Sequence, residues 1–103
     1  MKIAVIGAGG WGTAMAGRLA LRHENISFYC RNPQVLEEIR ATGENRTYLP
    51  GVEISSRAAL TGDLEEAVQG ADCVILAVPS KAVEDTAETI APFLKKQAIV
   101  VCA

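Results

Sequence analysis

Histidine is almost missing from this chain, since His23 is the only one in 103 residues, and aromatic side chains make up just 5% of it. His23 sits in a His23-Glu24-Asn25 turn, which reads as a surface turn and not as a catalytic base. Cysteine is scarce too: Cys30, Cys73 and Cys102 are odd in number, far apart and embedded in apolar runs. That pattern gives neither a disulfide framework nor metal-ligand spacing. The opening apolar run, Ile3 to Ile6, breaks at Gly7, which is too short for the core of a signal peptide or for a membrane span. No excess charge of one sign exists either, with 10 basic and 12 acidic side chains and a net charge of −2. An electrostatic footprint for nucleic acid or for an anionic membrane is therefore lacking. The expectation is a soluble, cytoplasmic protein that binds neither.

What is present is apolar surface, at 50% of positions. This suffices for one compact domain over residues 1–103, while an enzyme with separate cofactor and substrate domains needs about two or three times that length. The chain is either a small binding module or part of something larger.

Short apolar runs suited to strands buried on both faces alternate with stretches of helical spacing, the signature of a parallel sheet with crossover helices. The strand candidates are Ile3 to Ile6, Ile26 to Cys30, Cys73 to Val78 and Ala98 to Cys102, with a weaker one from Arg57 to Thr61. A first helix is predicted from Gly10 to about Arg22, with Trp11, Met15 and Leu19 on one face. Asn32-Pro33 reads as an N-cap and first helical residue, and Gly43 as the stop. Asp63 caps a short helix that ends at Gly70. The last helix starts at Ser80 with Val83, Ala87, Ile90, Ala91 and Leu94 on one stripe, and Pro92 predicts a kink or an end near Ala91. Residues 43–56 have no clear period, and a stretch of that kind tends to be functional or mobile.

Gly7-Ala8-Gly9-Gly10-Trp11-Gly12 satisfies G-x-G-x-x-G. Its place between a strand and a helix turns a weak pattern into a strong signal for dinucleotide binding. Gly7 permits the tight turn, Gly9 lets backbone approach a pyrophosphate, and Gly12 lets the helix pack close to the strand. First-turn amides and the helix dipole then favour phosphate. The fold class that follows is α/β, a Rossmann-type doubly wound parallel sheet that stops after about five strands.

The nucleotide is chosen at the end of the second strand, where a carboxylate would bind the ribose hydroxyls of NAD. Arg31 stands there instead. Its guanidinium either pairs with the 2′-phosphate of NADP, stacks on adenine, or is solvated at a helix entry, so NADP and NAD both remain candidate cofactors. Pro79 fixes the exit of the fourth strand at the ligand-facing edge, where backbone can line the middle of the cofactor. Ser80 is read as the cap of the next helix, and Lys81 as a surface lysine. Glu37-Glu38 and Glu65-Glu66 are sequential, so on a helix they diverge by about 100° and cannot converge on a substrate. The chain offers no nucleophile, no general acid and no metal site.

Gly7-Ala8-Gly9-Gly10-Trp11-Gly12-Thr13-Ala14, Tyr29-Cys30-Arg31, Asn45-Arg46-Thr47-Tyr48-Leu49-Pro50-Gly51, Thr61-Gly62-Asp63-Leu64 and Ala77-Val78-Pro79-Ser80 together resemble the amino-terminal part of the cofactor domain of bacterial NAD(P)-dependent glycerol-3-phosphate dehydrogenase. The resemblance covers nearly the whole chain in order. It implies a parent enzyme that interconverts dihydroxyacetone phosphate and glycerol 3-phosphate for phospholipid synthesis. It also implies cofactor contacts at Gly10, Trp11, Arg31, Asn32 and Tyr48. Two departures stand out. Many relatives carry serine where Gly10 stands, which leaves only the amide, and Asn32 replaces a residue that is often basic, which lowers the expected discrimination for the 2′-phosphate. The family's lysines, which polarise the ketone and bind substrate, fall after Ala103, so this stretch is expected to bind cofactor without turnover.

Two other readings stay open on sequence: another β-hydroxyacid or ketopantoate-type reductase, and a free-standing NAD(P)-sensing module. The Asn45 to Gly51 motif speaks against the first. Against the second stands Ile99 to Cys102, an apolar edge strand that invites association between copies of the chain.

Overall fold

In the computed structural model, which describes residues 1–51, 53–54 and 58–103, strands and helices alternate as the hydrophobic pattern predicts. The strands are β1 (Ile3–Ile6), β2 (Ile26–Tyr29), β3 (Ala58–Thr61), β4 (Cys73–Leu76) and β5 (Ile99–Cys102). The helices are α1 (Gly10–Ala20), α2 (Pro33–Thr42), α3 (Leu64–Val68) and α4 (Ser80–Ile90), the last followed by a 3-10 turn over Ala91–Phe93. All strand pairs are parallel, in the order β3-β2-β1-β4-β5. Arg57, the first residue of the weaker strand expectation, lies outside the described residues, as do Ser55 and Ser56 at the end of the irregular stretch.

Period-two alternation in β1 splits the core into two layers. Ile3 and Val5 join Ile26, Phe28 and Ile75 under Ala16, Ala20, Val35 and Ile39 of α1 and α2. Ala4 and Ile6 face the other way, with Val74 and Leu76, onto Ala67 and Val68 of α3 and Ile90 of α4. Helices thus cover both faces, and the strand order reverses between β1 and β4. In such a sheet the crevice beyond the carboxyl ends of those two strands is where ligands bind.

Local chemistry explains the helix boundaries. The Asn32 side chain accepts from the Gln34 N–H at 2.9 Å, with Pro33 at the first helical position, and Gly43 closes α2 in the left-handed conformation at φ 75°. Asp63 caps α3 by accepting from the Glu65 N–H at 3.0 Å. The proline effect at α4 is as expected, since the α-helix ends at Ile90 and tightens into the 3-10 turn containing Pro92.

Several expectations are corrected. The buried face of α1 is the small-residue stripe Gly12, Thr13, Ala16, Gly17 and Ala20, not the one through Trp11. Trp11 is 63% exposed, while Met15 and Leu19 only flank the core. A helix that must sit close to its sheet does so through residues with little side chain. Ser80 is not a cap but the first residue of α4, Pro79 holds the N-cap position, and no side chain caps this end. Ala91 is exposed and drops out of the α4 stripe. β2 and β4 stop one and two residues before the predicted Cys30 and Val78, because the chain turns there toward the cleft. At the opposite end of the sheet Asp72 ties three segments together. It accepts from the backbone N–H of Lys2 at 2.7 Å and pairs with Lys95.

Candidate nucleotide cleft

β1 delivers the chain to Gly7 at φ 118°, where its N–H donates to the Tyr29 carbonyl at 3.2 Å. A β-carbon at Gly7 would run into the Ala77 carbonyl, and one at Gly12 into the carbonyl of Gly7. Those two glycines are dictated by packing. Gly9 is different: a β-carbon there meets nothing within 4 Å. Its hydrogen faces open space beside the start of α1, the place where a bulky anion would come closest.

The first intrahelical bond of α1 runs from the Thr13 N–H to the Gly9 carbonyl at 3.0 Å, so the amides of Gly10 and Trp11 precede it and have no partner within the helix. The first turn carries no acidic side chain. Free amides, the positive end of the helix dipole and an open approach at Gly9 together make a cradle that could receive a phosphate. This is the test that a dinucleotide site must pass, and the residues fit.

The cradle opens into a cleft of about 1060 Å³, a volume suited to a ligand of dinucleotide size. Gly7, Gly9, Gly10, Trp11, Arg31, Asn32, Tyr48 and Pro79 all line it. Gly12 does not; it is buried beneath the turn. Arg31 is exposed at the carboxyl end of β2, and among the described residues no acidic side chain pairs with it. The Asn32 side-chain oxygen is engaged as the α2 cap, which leaves its amide hydrogens for a ligand. Cys30, also on the wall, is buried and donates to the Asn32 carbonyl at 3.4 Å. Burial raises the pKa of its thiol, opposed in part by that hydrogen bond. Both its burial and that shift favour the neutral thiol over the thiolate. His23 sits after α1 at the amino ends of the strands, away from the cleft.

Sequence reasoning missed Asn45, Thr13 and Glu38. Asn45 is fully buried; its side-chain amide donates to the Ala8 carbonyl and to the Thr13 hydroxyl, both at 2.8 Å. The Asn45 oxygen accepts from the Tyr48 N–H at 3.2 Å. From outside, Glu38 of α2 accepts from the amides of Arg46 at 2.6 Å and Thr47 at 3.2 Å. Lower down, the Ile54 N–H donates to the Gly43 carbonyl at 2.6 Å, and the Gly51 N–H to Glu44 at 2.7 Å. The described part of the aperiodic stretch is thus pinned at several points. An asparagine three residues ahead of the amide it caps was the available signal.

The sequence profile of the NAD-dependent glycerol-3-phosphate dehydrogenase N-terminus matches residues 2–103. The chain belongs to that family. Glycerol-3-phosphate dehydrogenase (NAD(P)+) of Moorella thermoacetica is 48% identical over 100 residues, covering 97% of this chain and 30% of that protein. The enzyme of the same name from Citrifermentans bemidjiense is 42% identical over 102 residues, again covering 30% of its length. The crystal structure of glycerol-3-phosphate dehydrogenase from Coxiella burnetii superposes with a TM-score of 0.90 at 26% identity, over 99% of this chain and 31% of that one. The chain therefore spans about 30% of the length of the glycerol-3-phosphate dehydrogenases it matches. Among the described residues no three histidine, cysteine or acidic side chains gather to hold a metal ion, and no helix is long and apolar enough to cross a membrane.

Proposed function

We propose that this chain is the dinucleotide-binding portion, residues 1–103, of a cytoplasmic oxidoreductase that interconverts dihydroxyacetone phosphate and glycerol 3-phosphate with NAD(P)H, feeding glycerophospholipid synthesis. The observation that carries the reading is the open approach at Gly9 between two glycines dictated by packing, at the point where the strand order reverses. Family membership over residues 2–103 supports the same reading against a free-standing sensor or a ketopantoate-type reductase.

In this reading Gly9, Gly10 and Trp11 hold the pyrophosphate through backbone amides, over the turn shaped by Gly7 and Gly12. Arg31 and Asn32 take the adenosine end, Tyr48 covers the cleft from the loop, and Pro79 lines its middle. The nicotinamide, when bound, supplies the hydride; the chain binds and orients it and shields it from water. A small phosphorylated substrate belongs to the longer enzyme, and so do the groups that polarise its ketone. Residues 1–103 alone bind cofactor without turnover. Copies of the chain associate through the edge of β5.

Titration of the chain with NADPH and NADH tests this, with Trp11, the only tryptophan, as a fluorophore at the cleft. Saturable quenching with energy transfer to the nicotinamide is expected. Absence of binding by both nucleotides would sink the reading.

A further inference from the structure

Asn45 is the one asparagine buried completely in the chain's described residues; its side-chain amide reaches across to Ala8 and Thr13, while its oxygen holds the Tyr48 amide of its own loop. Burying an amide is costly unless its hydrogen bonds are satisfied. Here two donors and the acceptor are used. One donor holds the Ala8 carbonyl, and because that peptide is trans, the Gly9 N–H points the opposite way, away from Asn45. The other holds Thr13 in the first turn of α1. The acceptor holds the Tyr48 amide, and the Tyr48 carbonyl lies so near Gly10 that a β-carbon there would be 3.2 Å from it. The loop is seated directly on the glycine turn, with Glu38 bracing it from outside.

We propose that Asn45 is the positioning residue of the dinucleotide site. It fixes the Ala8–Gly9 peptide plane and seats the Tyr48 loop on the turn, so that the phosphate cradle and the Tyr48 wall form as one unit. This rests on the dinucleotide reading above. Asn45 itself touches no ligand in this proposal; it acts through Gly9 and Tyr48.

The test is a double-mutant cycle on the full chain, with NADPH and NADH affinity read from Trp11 fluorescence and folding read from thermal melts. Asn45→Ala is expected to weaken NADPH binding by about tenfold or more, the range for losing one or two buried hydrogen bonds. Tyr48→Ala is expected to weaken binding in the wild type and to have little further effect in the Asn45→Ala background, because the loop is already unseated. A merely structural Asn45 would leave the two effects additive, and that result overturns the proposal. So does unchanged affinity in a folded Asn45→Ala. Should Asn45→Ala fail to fold, Thr13→Val removes its partner hydroxyl without changing shape and Thr13→Ser restores it. Loss with valine and recovery with serine supports the role, and equal affinity in both overturns it. Wild-type chain that binds neither nucleotide overturns the dinucleotide reading and this proposal with it, whereas a binding wild type with indifferent variants overturns the proposal alone.

Discussion

Gly12 lies against Gly7 so closely that a methyl group at position 12 would occupy the space of the Gly7 carbonyl oxygen, with the Ala77 side chain closing the other side at 3.2 Å. Both obstacles are held by the sheet, and neither is the flexible end of a long side chain. Gly12→Ala is therefore expected to cost about 3 kcal/mol, a fall of roughly 10 °C or more in melting temperature for a domain of this size. Calorimetry or circular dichroism melts would read it; an unchanged melting temperature would mean that α1 can lift off β1 freely.

Gly9→Ala is the opposite case. Gly9 has ordinary dihedral angles, φ −72° and ψ −174°, and open space around its missing side chain. The melting temperature is expected to shift by no more than about 2 °C, as for a substitution that touches nothing. NADPH affinity should fall by at least about tenfold, since a methyl group would stand where the pyrophosphate comes closest. Full affinity in this variant would remove the observation on which the functional reading rests.

Arg31 is exposed at the carboxyl end of β2 without an acidic partner among the described residues. A charge-assisted contact to a 2′-phosphate is worth about 1.5–3 kcal/mol. Arg31→Asp should weaken NADPH by about 10- to 100-fold while NADH loses little or gains. Calorimetric titration of both nucleotides against both proteins decides it, and equal NADPH affinity in the two rejects the phosphate clamp.

Much of this was legible in the sequence because local chemistry and global fold agree. Asn32, Pro33 and Gly43 announce α2 by side-chain capping, fixed φ and left-handed backbone, and the structure uses all three. Apolar runs located every strand to within two residues. What stayed hidden depends on distance in space. The stripe through Trp11 is the more hydrophobic, so periodicity favours it, yet close packing of α1 on β1 needs the glycines and alanines beside it. Serine at a helix start reads as a cap, but Pro79 already supplies the extended backbone that a cap residue needs. Asn45 gives no warning that its partners Ala8 and Thr13 lie more than thirty residues away.

At the far end of the sheet, Asp72 is held below the usual carboxylate range, first by its hydrogen bond to Lys95 and next by the Lys2 backbone N–H. The folded chain therefore keeps this carboxylate charged where the unfolded chain takes up a proton. Its stabilisation is present above the unfolded value and is lost as pH falls through the folded one. Melting temperatures are expected to drop as pH falls below about 4, and Asp72→Asn should flatten that acid arm. An acid arm of equal slope in both proteins would show that other carboxylates set it.

β5 carries Ile99 at 63% exposure beside exposed Val100 and Val101, and among the described residues it pairs only with β4. An edge that offers both unpaired backbone groups and apolar side chains is a template for a further strand, and lysine is a common natural means of blunting one. Light scattering of the chain is expected to show concentration-dependent association. Val101→Lys should reduce it while leaving NADPH affinity unchanged, because Val101 is not part of the cleft wall. Association that persists undiminished in Val101→Lys would place the contact elsewhere, with the exposed ring of Trp11 the next surface to substitute.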